Sequence, residues 1–229
     1  MERGLYIAAS GMMSEMVRQD QIANDLANSS TPGYKADRST QRSFGDLLLQ
    51  NASSGRPVGT LGLGVAIDRV VTDMSPAPVR ITDEPLDFAV EGDGFFAIQS
   101  PQGVRFTRGG QFQASETGRL VTSLGAPVLG PGGAPITVRP DGTVPATAVG
   151  VFAVPNARKL GEGLMEGTAA GQATGQARSG SLEGSGADPA RSMVDMIASF
   201  RAFESGQRVL TTIDSTLQQA AGRVGSISG

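Results

Sequence analysis

The sequence predicts a mainly β central domain, sandwich or barrel-like, irregular and Gly-rich, framed by N- and C-terminal α-helices that pair as a coiled coil. Three observations predict it. Apolar residues recur at alternating three- and four-residue spacings near both ends of the chain, the mark of amphipathic helices. Between them, short apolar runs return about every ten residues, separated by Gly, Pro and Asp, as in all-β domains. Glycine itself is abundant, 32 of 229 residues, about twice ordinary usage.

Residues 1–35 are expected to form the first helix of the coiled-coil domain. Leu5, Ala9, Met12, Met16, Gln19, Ala23 and Leu26 follow a heptad seam. The helix should stop before Asn28-Ser29-Ser30-Thr31-Pro32-Gly33, because the residue before proline avoids helical geometry and Pro-Gly suits a turn. Residues 188–229 mirror this arrangement. Asp188-Pro189 supplies an N-cap acceptor followed by proline at the first helical position, Met193, Met196, Phe200, Phe203, Gln207, Leu210 and Leu217 form the seam, and Gly222 suggests the stop. Helices of this length are marginal in water unless such a stripe is buried, so the two must pair with each other, with other copies, or with both.

The middle divides into three parts. Residues 36–80 read as an extended connecting region with a possible helical turn at Phe44–Leu49 and a strand at Val65–Val71. Residues 81–160 read as the central β domain: two strands around Glu91-Gly92-Asp93-Gly94 within Leu86–Ile98, and a hairpin signal at Arg108-Gly109-Gly110 between Gly103–Phe106 and Gln111–Gln113. Further runs follow at Gly118–Thr122, Pro127–Leu129, Ile136–Val138, Thr143–Val144 and Gly150–Val154. Phe88, Phe95, Phe96, Phe106 and Phe112 should be core. Residues 161–187, glycine-dense and poor in large apolar groups, read as an extended or loop-like return.

Composition narrows the chemistry. The chain has no Cys, His or Trp, which removes thiolate and imidazole catalysis, disulfides and the usual zinc ligand sets. The adjacent acids Asp83-Glu84 would point to opposite sides of an extended segment, unsuited to one substrate. Glu91-Gly92-Asp93-Gly94 lacks the spacing of a calcium loop, Gly62-Leu63-Gly64 lacks the rest of a dinucleotide fingerprint, and the sequons Asn28-Ser29-Ser30 and Asn51-Ala52-Ser53 are common chance matches. No catalytic, cofactor or metal site is expected, and no small-molecule substrate. With 19 basic against 22 acidic residues and a net charge of −3, no nucleic-acid partner is expected either. Met1-Glu2-Arg3 carries no net positive charge before the mildly apolar Leu5–Met13, so no cleaved signal peptide is expected.

Four ordered stretches resemble bacterial flagellar rod and hook proteins. Ile22 to Lys35 is similar to the signature that ends their first helix, carried here by Asn24, Leu26, Asn28, Thr31, Gly33 and Tyr34. Pro85 to Phe96 resembles their central motif, through Gly92, Gly94 and Phe95; Phe106 to Phe112 resembles a third, through Thr107 and Arg108; Met196 to Leu217 resembles the closing helix. Asp25 stands where Asn is commonest, and the middle is short for the family. The opening Met1–Met12 and Leu182-Glu183-Gly184-Ser185 look most like the proximal rod members, with distal rod or other axial subunits as the alternative. The resemblance implies a structural subunit of the basal-body rod. Its terminal helices would form an inner coiled-coil layer of a torque-transmitting tube, exported through the flagellar type III apparatus, with itself and neighbouring axial proteins as partners. Leu5, Met12, Met16, Leu26, Met196, Phe200, Phe203, Leu210 and Leu217 are then expected to carry subunit packing. A secreted β-rich binding module and a carboxylate hydrolase are the competing classes. With no Trp and two Tyr, the first has little aromatic surface to offer.

Overall fold

The computed structural model describes residues 2–43, 46–50, 57–62 and 64–225. Phe44, the Asn51–Ser53 sequon and Leu63 lie outside these residues. The elements are α1 (Glu2–Ala27), β1 (Asp37–Ser43), β2 (Asp46–Gln50), β3 (Pro57–Gly62), β4 (Val65–Thr72), β5 (Val79–Ile81), β6 (Phe88–Glu91), β7 (Phe95–Ser100), β8 (Gly103–Thr107), β9 (Phe112–Ala114), β10 (Leu120–Thr122), β11 (Val128–Leu129), β12 (Val151–Phe152), β13 (Arg158–Gly161), β14 (Leu164–Glu166), β15 (Gln176–Ser179), β16 (Ser181–Glu183) and α2 (Pro189–Gly225). They form two compact units: a helical unit of α1, α2 and residues 37–71, and a β unit of residues 27–36 and 72–188.

In the helical unit the two helices touch and run in opposite directions. Gly4 lies against Ile213, Met12 against Gly206 and Glu15 against Ser199, so position rises in one helix as it falls in the other. The sheltered face of α1 is Leu5, Ala8, Met12, Glu15, Gln19, Ile22 and Leu26; that of α2 is Ser192, Met196, Ser199, Phe203, Gly206, Leu210, Ile213 and Leu217. One heptad position agrees with the expected seam: Leu5, Met12 and Leu26 lie on the sheltered face of α1, and Met196, Phe203, Leu210 and Leu217 on that of α2. The other is displaced by one residue in both helices. Met16, Met193 and Phe200 are each 54% exposed, while Glu15, Ser192 and Ser199 take the inner places. The inner set is mostly small or polar, which lets the backbones approach but leaves no hydropathy signal. The α2 helix also continues through Gly222 to Gly225, since glycine in a helix costs only about 1 kcal/mol against alanine and nothing there forces a left-handed turn.

The rest of this unit is β ribbon. Strand β1 pairs with β4, and β2 with β3 in antiparallel register from Asp46↔Gly62 to Gln50↔Pro57. The expected turn of helix at Phe44–Leu49 is therefore strand from Asp46 onward. Three leucines favour helix locally, but cross-strand pairing overrides so short a preference.

In the β unit, β7 is the centre of a six-stranded antiparallel sheet ordered β11-β7-β8-β14-β13, with β12 also on β7. Its run Phe95-Phe96-Ala97-Ile98 is buried throughout because it has core on both faces. Phe96 and Ile98 pack with Phe88, Phe112, Leu120 and Val128, whereas Phe95 and Ala97 pack with Phe106, Leu129, Val154 and Met165. All five phenylalanines expected in the core are there.

The expected hairpin at Arg108-Gly109-Gly110 is not formed, and the two strands around Glu91-Gly92-Asp93-Gly94 do not pair with each other. Strand β6 pairs with β15, not β7, and β9 pairs with β10, not β8. The glycines between these strands serve close approach instead of reversal: a Cβ on Gly110 would run into the Phe88 carbonyl. Ile136–Val138 and Thr143–Val144 contribute only an isolated bridge at Thr137 and buried side chains. At Asp141 both the hydroxyl and the N–H of Thr143 donate to Oδ1, at 2.7 and 2.9 Å, holding that exposed carboxyl below its ordinary pKa. Residues 161–187 carry β14, β15 and β16, three- and four-residue strands too short to show a period. No described helix is long and apolar enough to cross a membrane.

Phe96→Ala is expected to lower stability by about 3–5 kcal/mol in chemical denaturation. The same truncation at Val104, 43% exposed on the same sheet, should stay within about 0.5 kcal/mol.

Candidate functional site

The motifs singled out in the sequence meet in the β unit around one carboxylate. After α1 the chain turns through Asn28–Thr31, where Thr31 N–H donates to the Asn28 carbonyl at 3.0 Å and Thr31 Oγ1 to Asn28 Oδ1 at 3.2 Å. Gly33 follows with φ of +68°. Its N–H donates to the Glu183 carbonyl at 3.0 Å, and a Cβ there would strike the backbone of Arg108 and Gly109. Only glycine satisfies both the dihedral and the approach.

Lys35, Arg108 and Glu183 are all buried, at 1%, 2% and 1% exposure. Lys35 Nζ donates to Glu183 Oε1 at 2.8 Å and to the Ser75 carbonyl at 2.7 Å. Arg108 donates through one terminal nitrogen to Glu183 Oε2 at 2.9 Å and through the other to the Gly92 carbonyl at 2.9 Å. The Ala77 N–H completes the carboxylate at 2.9 Å. Burying charge is costly unless it is paired and hydrogen-bonded; here two cations share one anion, and each gives a further hydrogen bond to a backbone carbonyl, while the buried Arg108 Nε has no partner.

A second tier supports these three residues. The Arg108 guanidinium carbon lies 5.3 Å from the Phe95 ring centroid, and Lys159 Nζ lies 4.0 Å from that of Tyr34, both cation–π distances. Lys159 also donates to the Lys35 carbonyl at 2.7 Å. Thr107 Oγ1 donates to the Gly163 carbonyl at 2.9 Å and accepts the Gly109 N–H at 3.0 Å. Ser185 Oγ donates to the Asn28 carbonyl at 2.9 Å.

Of the expected signature residues, Asn28, Thr31, Gly33, Tyr34, Gly92, Phe95, Thr107 and Arg108 thus come together. Gly94 sits apart, leaving space filled by Val151 and Ala173. Asn24 and Leu26 belong to α1, exposed and half-buried respectively. Glu183, the centre of the cluster, was not among the expected site residues, and neither was Lys35. Glu183 lies in the Leu182–Ser185 stretch, but nothing local marks its charge as buried, because its two cationic partners lie 148 and 75 positions away.

Chemically the cluster is a tie. Its charges are enclosed and hydrogen-bonded to one another, leaving no reachable acid or base. Asp83 and Glu84 are exposed, and among the described residues no group of acids is arranged to hold a metal.

Glu183→Leu is expected to destabilise the β unit by about 3–5 kcal/mol, because it strands two buried cations. In urea denaturation, Lys35→Met combined with Glu183→Leu should lose less than the sum of the two single changes, with a coupling of about 0.5–3 kcal/mol.

Comparison with known proteins accounts for this convergence of motifs. Residues 5–35 match the flagella basal body rod protein family, residues 89–154 the D1 domain of the flagellar hook protein FlgE/F/G family, and residues 178–223 the C-terminal region of the flagellar basal body rod FlgEFG proteins. The chain is 31% identical to the flagellar basal-body rod protein FlgG of Bacillus subtilis, over 96% of this chain and 98% of that one. It is also 31% identical to the flagellar basal-body rod protein FlgF of Salmonella typhimurium, over 93% and 95%, and to that of Escherichia coli, over 96% and 97%. With its ends, its β core and its ion cluster all drawn from motifs of one lineage, the chain belongs to the flagellar basal-body rod protein family and is a structural, non-enzymatic subunit of the rod.

Proposed function

We propose that this subunit builds the rod by packing its terminal helices against those of neighbouring copies, as the coiled-coil inner layer of a tubular shaft that transmits torque. The observation that carries this reading is the outer surface of the helical unit. Beyond the face that α1 and α2 turn to each other, Tyr6, Met13 and Met16 are 60%, 69% and 54% exposed, and Met193, Ile197 and Phe200 are 54%, 56% and 54% exposed. So many large apolar groups on two helices mark an interaction surface. Burial by a neighbour would return about 25 cal/mol for each Å² of apolar area covered.

The expected packing residues divide into two roles on this view. Leu5, Met12, Leu26, Met196, Phe203, Leu210 and Leu217 hold the helices of one copy together, and Met16 and Phe200 face the next copy. The signature residues of the β unit keep the chain that leaves α1 in place and contact no ligand. Partners are further copies, other axial rod proteins and, during export, the flagellar type III apparatus, which would take the chain without cleaving a signal peptide. The proximal position is the reading supported by the likeness of the opening Met1–Met12 and of Leu182–Ser185 to proximal rod members. Rescue of strains lacking either the FlgF- or the FlgG-type subunit tests it directly.

Phe200→Asp should leave the circular dichroism of the free subunit unchanged and yet abolish rod assembly and swimming. Leu210→Asp should abolish assembly as well, while the β unit remains folded. Normal motility with Phe200→Asp would overturn the reading.

A further inference from the structure

The face shared by α1 and α2 carries a polar contact that apolar burial does not require. Ser199, 1% exposed, donates its hydroxyl to Glu15 Oε2 at 2.6 Å and lies 3.3 Å from the Glu15 carbonyl. The other Glu15 carboxylate oxygen, Oε1, accepts Gln41 Nε2 of β1 at 3.3 Å. One side chain thus joins three elements of the helical unit. One turn away Met12 fills the space left by Gly206, where a Cβ would come within 2.7 Å of Met12 Cγ.

Heptad seams are nearly indifferent to sliding by seven residues. Here both inner faces carry large apolar residues at heptad spacing, Leu5, Met12 and Leu26 on α1 and Met196, Phe203, Leu210 and Leu217 on α2, so a slide keeps apolar residues on the shared face. The polar contact is not indifferent. Sliding one way sets Glu15 against Gly206, which has no hydroxyl. Sliding the other way offers it Ser192, but brings buried Ser199 against Met12, removing the hydroxyl's partner and adding a Cβ where Gly206 had none. A polar group in an otherwise apolar helix seam fixes alignment at some cost in stability.

We propose that the Glu15–Ser199 hydrogen bond, with the Met12–Gly206 fit beside it, is the register-specifying device of the helical unit, selecting one axial alignment of the antiparallel helices over heptad-shifted ones. It acts within a single copy, so it stands independently of the assembly reading.

The chain has no cysteine, so spin labels on Val17→Cys and Val209→Cys report one distance. Both positions are exposed, at 44% and 46%, and they sit at different levels along the helices, so an axial slide changes their separation. In the full-length chain diluted with unlabelled protein, double electron–electron resonance should give one narrow distance. Adding Glu15→Leu with Ser199→Ala should preserve helical content by circular dichroism and introduce a second distance, from a slide of about 10 Å, or one heptad. Glu15→Gln, which keeps an acceptor, should retain the single distance. One unshifted distance in the double variant overturns the proposal, as does a split distribution in the parent. Loss of helicity in the double variant also overturns it, because the pair would then be holding the helices together instead of choosing their alignment.

Discussion

The β unit depends on a single buried anion. Glu183 is the point at which three distant stretches of chain become one structure: the turn after α1 through Lys35, the strand exit after β8 through Arg108, and the return strand β16 through its own backbone. An enclosed carboxylate with two cationic donors and a backbone N–H tolerates little rearrangement, since moving any partner leaves charge without compensation. The obligatory glycine at position 33, the cation–π contacts at Phe95 and Tyr34 and the Thr107 hydroxyl bonds all lie around it. Residues that look like a binding signature in the sequence are the lining of this cluster.

The helical unit is built on the opposite principle. Its inner face is small and partly polar, with Ala8, Glu15, Ser199 and Gly206 alternating with larger groups, while much of its apolar bulk points outward. A helix pair that sought only its own stability would place Phe200 and Met16 inside. On the proposed assembly, the free energy of their burial is available to contacts between copies.

What the sequence disclosed and what it concealed follow from the range of each signal. Two helix boundaries were legible because their signals are local, Asp188-Pro189 at the start of α2 and Thr31-Pro32-Gly33 after the end of α1, whereas Gly222 does not end α2. The phenylalanine core was legible from hydropathy alone. Helix faces were half legible, since periodicity finds large apolar residues and cannot tell Phe200 on an outer flank from Ser199 on the inner one. Strand partners were not legible. Glu91–Gly94 and Arg108–Gly110 carry turn residues, but whether such a segment reverses or passes through the interior is decided by β15 and by the Phe88 carbonyl, both remote in sequence. The ion cluster was concealed most fully. Lys35 and Glu183 look like solvated charges until residues 148 positions apart are brought together.

The β unit is made of two stretches of chain, residues 27–36 and 72–188, and the first is bonded to the end of the second. Gly33 N–H reaches the Glu183 carbonyl, Gly186 N–H donates to the Tyr34 carbonyl at 2.8 Å, and Ser185 Oγ reaches the Asn28 carbonyl. Those bonds tie the first crossing of the chain between the two units, near residue 27, to the last, near residue 188. Loops within residues 72–188 can lengthen, shorten or be exchanged while these bonds stay as they are. The buried clasp is in that sense a socket: it lets the loops of the β unit diverge without any matching change where the chain joins the helices.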